Sequence, residues 1–201
     1  MTIETLDRSF ALARGVLAEV RPEQLGNPTP CASWDVQALI DHMINAANYY
    51  EHAIATGDPS SSVEDATADD AVAAYDEATQ RALAAFSAPG AMERPITFPF
   101  GTMQGSIFIY VAAGDAFAHA WDLATATGQP NDLDPELATT LLDAIRPLLR
   151  CVAKRVSLRS APNNPLPTAP RRPSVTWRSS AARCSETQSI AMSFGFRGSR
   201  E

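Results

Sequence analysis

The stretch Ser106–Leu123, SIFIYVAAGDAFAHAWDL, is apolar on nearly every side of a helix, yet it carries Asp115, His119 and Asp122. Asp115 and His119 are four apart, so a helix projects them from one face, one turn apart. A carboxylate buried without a partner costs several kcal/mol or takes up a proton, and no Lys or Arg in the stretch compensates it. A divalent metal would. The acid and the imidazole supply two ligands, and a third must come from elsewhere. The chain has three His. His42 falls mid-way along a second helical stretch, whereas His52 lies about 80° further round it and close to its end. His42, Asp115 and His119 therefore form the candidate ligand set, with open positions for water or a substrate atom.

Spacing alone leaves a second reading open, because D-x-x-x-H is a weak pattern. In it His119 is a core histidine bonded to Asp115 or a carbonyl, and His42 sits half exposed or donates to a neighbouring carboxylate. Asp122 reads as a supporting group rather than a ligand, and Trp34 and Trp121 as core. Cys31 reads as a small buried residue at a helix entry, a reactive thiol being the sharper alternative. There is no G-x-G-x-x-G, P-loop or G-x-S-x-G motif, and the paired Glu-x-x-His helices of a di-iron bundle are missing.

The elements that must position these residues are helical. Leu6, Phe10, Ala13, Leu17 and Val20 recur at helical spacing, and Pro22 with Gly26–Pro30 ends that segment. Ser33 is the expected N-cap of the second helix, which carries Val36, Leu39, Ile40, Met43, Ala47 and Tyr50 and stops at Gly57-Asp58-Pro59. Pro59–Asp70 is a polar, acidic connection long enough to cross from one end of a bundle to the other. Thr67 and Asp70 resemble a loose capping box for a third helix with Val72, Tyr75, Thr79, Leu83 and Phe86 on one side. Residues 91–105 predict an irregular or short extended excursion. A fourth helix spans about Met103 to Thr127 and ends at Gly128. A fifth starts at Asp134-Pro135-Glu136 and carries Leu137, Leu141, Ile145 and Leu148, with Pro147 bending or ending it. No strand alternation competes, and the fold class is an all-α bundle.

Charge divides the 201 residues, whose formal net charge is −7. Residues 1–150 hold seven Arg and no Lys against 21 acids, a balance of −14; residues 151–201 hold eight Arg and one Lys against two acids, a balance of +7. The expectation is one helical domain over 1–150 and a disordered basic tail over 151–201. The acidic part disfavours nucleic acid, since phosphate contacts need Lys or Arg. Asp115 and Asp122 make the fourth helix unsuitable as a membrane span. Three scattered Cys and no visible secretion signal point to the cytoplasm.

TPCASWDVQALIDHM (Thr29–Met43), FGTMQGS (Phe100–Ser106) and DAFAHAWDLATATGQP (Asp115–Pro130) resemble an actinobacterial group of metal-binding proteins. That group belongs to the DinB-like superfamily and is related to the N-terminal domain of mycothiol-dependent maleylpyruvate isomerase. The resemblance covers about residues 5–150. It implies a four-helix bundle with a long second-to-third crossover, and His42, Asp115 and His119 as ligands of zinc or nickel. It further implies a low-molecular-weight thiol such as mycothiol as cofactor, a small-molecule substrate, and thiol transferase or isomerase chemistry. A non-catalytic metal or small-ligand binding bundle is the alternative, and a homodimer is compatible with either. The isomerase has Glu where this chain has Asp115, and nothing in 151–201 resembles its second domain, so maleylpyruvate is not expected as substrate. The resemblance ends near Arg150, where the charge reverses; a frameshifted C-terminus is the hypothesis this motivates, and the intact mass of the native protein tests it.

Overall fold

The computed structural model describes residues 3–60, 70–98 and 101–146. Helix α1 (Ile3–Ala18) is followed by a single 3-10 turn at Pro22–Gln24, then α2 (Val36–Thr56) and α3 (Ala71–Ser87). A hairpin of β1 (Pro95–Phe98) and β2 (Gly101–Gln104) leads into α4 (Gly105–Thr127), and α5 covers 135–146. The fold is an all-α, DinB-like bundle with one small antiparallel hairpin.

Contacts between the helices fix their directions. α1 packs chiefly on α4 and also on α3, while α2 packs chiefly on α3 and also on α4. Gln24 Nε2 donates to Thr127 O (2.8 Å) and Gln129 Nε2 to Val16 O (3.0 Å), so α1 and α4 end together and run the same way. Arg14, late in α1, pairs with Asp76, early in α3, so those two run oppositely. Met43 and Tyr75 line one cavity, Asn48 accepts from Arg81, and Tyr50 and Phe86 both pack on Phe108. Residue numbers therefore rise together along α2 and α3. Parallel neighbours cannot be joined by a tight turn, which is why the chain needs a long connection between them.

Several ends follow their sequence signals. Gly57 (φ 78°) and Gly128 (φ 70°) close α2 and α4 in the left-handed region that a side chain disfavours. α3 departs from its signal: Asp70, expected three residues inside a capping box led by Thr67, is itself the N-cap and accepts from Ala73 N, so the helix starts at Ala71; Thr67 lies outside the described residues. Asp134 accepts from Leu137 N (3.0 Å) to start α5, and Leu137, Leu141 and Ile145 are buried. Leu148, the Pro147 stop, the tail 151–201 and most of the 59–70 connection also lie outside the described residues.

Other ends depart from expectation. The cap of α2 is Asp35, which accepts from Ala38 N (2.9 Å), not Ser33, because Ser33 is taken up in the turn closed by Trp34 N→Cys31 O (2.8 Å). Within 91–105 the expected short extended excursion is a two-stranded ladder over 95–98 and 101–104, Ile96 opposite Met103 and Thr97 opposite Thr102, and α4 starts at Gly105, two residues after Met103. Trp121, expected in the core, is 41% exposed: it lies two residues past His119 on α4, which turns it away from the bundle interior.

The hairpin fastens two helix ends. Arg94 donates to the carbonyls of Ile54 (2.8 Å) and Ala55 at the end of α2, where unpaired carbonyls favour a cation. Gly105 N donates to Arg94 O (2.9 Å) and Ser106 N to Met92 O (2.8 Å) at the start of α4. A Cβ on Gly105 would come within 2.0 Å of Ala91 O and 2.7 Å of Ile54 Cδ1, so the approach admits only glycine.

Candidate metal centre

α4 brings Asp115 and His119 to one face, and α2 brings His42 opposite them. Ligand atoms of His42, Asp115 and His119 all lie within 4.8 Å of one another. The His42 and His119 rings are 4.8 Å apart between centroids and nearly perpendicular. His52 does not join them; it sits towards the end of α2 beside the Thr56 hydroxyl.

The polar bonding around this cluster is lopsided. His119 Nδ1 lies 3.0 Å from Asp122 Oδ2, and since a carboxylate only accepts, Nδ1 carries the proton. The Cys31 thiol donates to the same oxygen at 3.5 Å. On the other side of the ring, His119 Nε2 is 3.4 Å from Asp115 Oδ1, within ion-pair reach but without hydrogen-bond geometry. His42 Nε2 and His119 Nε2 are both buried without a hydrogen-bond partner. Orphaned buried nitrogens cost free energy unless something else satisfies them. Cys31, His119 and Asp122 form a second cluster of possible ligands, but there the His119 nitrogen is already bonded to Asp122.

Electrostatics sharpen the contrast. Burial favours the neutral form of Asp115, yet His119, then His42 and the facing Tyr50 hydroxyl, outweigh it and hold the carboxyl at about 2. Burial also pushes His119 down, but the Asp115 carboxylate overcomes it, with Asp122 and Cys31 adding, and the imidazole is held well above its ordinary range. His42 is lowered, chiefly by burial. Burial, then Asp115, pushes the Tyr50 hydroxyl far up. The site thus presents an ionised carboxylate, one neutral imidazole, and one imidazole whose Nε2 proton an incoming cation would displace.

A small cavity of about 10 Å³, room for about one water molecule or ion, opens beside Asp115 and His119 among Met43, Tyr50 and Tyr75. Trp34, half-buried, lies against His42 with ring centroids 4.5 Å apart and planes tilted by 36°. Trp34, Cys31 and Tyr50 are the site neighbours that periodicity did not reveal. The T-P-C-x-x-W spacing ahead of α2 was the available signal for the first two.

A family model described as the mycothiol maleylpyruvate isomerase N-terminal domain matches residues 6–124, a span that contains all of these residues. The chain belongs to this family. Uncharacterized proteins from two strains of Mycobacterium tuberculosis are each 42% identical over 135 residues, covering 67% of this chain and 71% of theirs. No solved structure matches. Among the described residues, no helix is long and apolar enough to cross a membrane.

Proposed function

We propose that this family member holds a divalent metal, zinc or nickel, through His42, Asp115 and His119, and uses it with a low-molecular-weight thiol such as mycothiol in a transferase or isomerase reaction. The observation that carries the metal reading is the pair of buried, unpartnered nitrogens, His42 Nε2 and His119 Nε2, beside an ionised carboxylate. Two imidazoles and a carboxylate suit a borderline ion, and three protein ligands leave coordination open for chemistry. A metal bound there favours thiolate over thiol and polarises an electrophile.

The chain's own residues do the rest. Asp122 accepts from His119 Nδ1 and so leaves the Nε2 lone pair for the cation once its proton is displaced, the usual role of a carboxylate behind a ligating histidine. Cys31, bonded to that carboxylate, supports it. The thiol and a small electrophile supply the reacting groups, which is where family membership contributes. The cavity's small volume favours a second reading, a non-catalytic metal or small-ligand binding bundle.

Metal analysis of the purified full chain tests the first step: about one zinc or nickel per chain is expected, and a protein that takes up neither ends this reading. Mycothiol, bacillithiol and glutathione are then titrated into the metal form and offered electrophiles. Thiol binding with transfer supports the enzyme, and metal binding without thiol binding supports the second reading. A domain over 1–150, a basic tail over 151–201, a cytoplasmic location, optional homodimerisation and no affinity for nucleic acid or membrane complete the proposal.

A further inference from the structure

The loop before α2 is closed on itself around one hydroxyl. Thr29 Oγ1 donates to Trp34 O (2.9 Å) or Cys31 O (3.1 Å) and accepts from Cys31 N (3.2 Å), while Thr29 N donates to Trp34 O (3.3 Å). Pro28 bridges to Asp35, and Val36 N and Gln37 N donate back to Asn27 O (3.0 Å) and Leu25 O (2.9 Å). A loop tied at this many points is a fixed platform. It is anchored to α4 as well, by Asn27 Nδ2 donating to Ala126 O (3.1 Å). Two of its side chains reach the site, Cys31 onto Asp122 and Trp34 onto both imidazoles.

We propose that Trp34 is a positioning residue of the centre, its indole fixing the His42 ring in its ligating orientation. The geometry supports a specific role rather than general packing. The indole lies 4.5 Å from the His42 ring at a 36° tilt and 5.9 Å from the His119 ring at 50°, so it covers the two imidazoles together. Nε2 is unpartnered in both rings, but Asp122 orients the His119 ring through Nδ1, whereas the indole is the contact that restricts the torsion of the His42 ring. An indole face is also electron-rich, so it attracts an imidazole more strongly once that ring carries part of a cation's charge. Trp34 would therefore favour the loaded form over the empty one, an effect that bulk alone cannot give.

This inference rests on the metal reading, and the test separates the two. Zinc affinity is measured by competition with a chromophoric chelator for the wild type, Trp34→Phe and Trp34→Leu, with helical content followed by circular dichroism and the His42 imidazole C–H signals by NMR in the metal-free protein. Trp34→Leu keeps apolar bulk and should fold. It is expected to weaken zinc binding by about 10- to 100-fold, the range for groups that orient ligands, and to broaden or split the His42 signals while His119 keeps a single set. Trp34→Phe, which retains an aromatic face, is expected to recover most of the affinity. Equal affinities for the wild type and a folded Trp34→Leu, or a single unshifted set of His42 signals in that variant, would overturn the role of Trp34 while leaving the metal reading intact. A wild type that binds no zinc or nickel overturns both.

Discussion

The start of α4 and its middle lie in the same bundle and are built on opposite logic. At its N-terminal end the hairpin satisfies what it buries: Arg94 takes the last carbonyls of α2, Gly105 and Ser106 donate to the hairpin backbone, and Phe86, Phe98 and Tyr50 enclose Phe108. Further along, around Asp115 and His119, two imidazole nitrogens are buried without hydrogen-bond partners, although the acid and Asp122 are at hand. The first region is what a bundle does to hold itself together. The second carries a cost that folding alone does not explain, and that the proposed cation would remove. Buried polar groups with unmet capacity are thus a sharper pointer to the site than apolar burial, which both regions share.

Breaking the comparison at the centre gives the largest expected effect. His42→Ala and His119→Ala should each lose stoichiometric zinc or nickel, read by metal analysis after gel filtration, whereas His52→Ala should retain it. If His52→Ala behaves like the other two, the ligand set is wrong. At the start of the helix, Gly105→Ala drives a Cβ into Ala91 O and Ile54, and should cost about 3 kcal/mol by denaturant unfolding while leaving metal affinity per folded molecule unchanged. A parallel loss of metal affinity would show that the two regions are coupled.

Smaller changes sharpen the contrast. Asp122→Asn leaves the shape of the side chain but replaces the charge that His119 Nδ1 meets, and should weaken zinc binding by about 10- to 100-fold with little loss of helix. Metal uptake should also release one proton near neutral pH. His119 is held above its ordinary range and starts protonated, His42 is lowered and starts neutral, and Asp115 at about 2 is already ionised. Affinity should therefore climb with pH until His119 deprotonates in the metal-free protein, and level off above that point. Calorimetry in buffers of different ionisation enthalpy counts the proton; no buffer dependence would show that His119 is already neutral in the metal-free protein. The smallest effect expected is that of Asp35→Ala, which removes the cap on Ala38 N and should lower stability by about 1 kcal/mol without touching the metal.

Much of this was legible in the residues because helices are local objects. The apolar spacing of Leu6–Leu17 and Leu39–Ala47, the stops at Gly57 and Gly128, and the Asp134-Pro135 start of α5 each depend on neighbours a few positions away. The pairing of Asp115 with His119 is equally local, one turn of α4. The hairpin was less legible, because two four-residue strands separated in sequence by Pro99 and Phe100 have too little alternation to register. Ser33 was the expected cap of α2, but the turn made by Thr29, Cys31 and Trp34 occupies it and Asp35 caps instead.

The sequence by itself determined the helices, the glycine stops of α2 and α4, and that a buried acid on α4 needed a partner which no Lys in residues 1–150 could provide. Only the tertiary structure decided the direction of α2 against α4, and with it that His42, already preferred over His52 in the sequence, meets Asp115 and His119. It also decided which nitrogens are left over, that Cys31 and Trp34 reach the imidazole side of the bundle, and that Trp121 turns outward. The reason is one of range. Periodicity records which face of a helix is apolar, but not which residue of a distant helix that face meets; that choice is made when the helices pack.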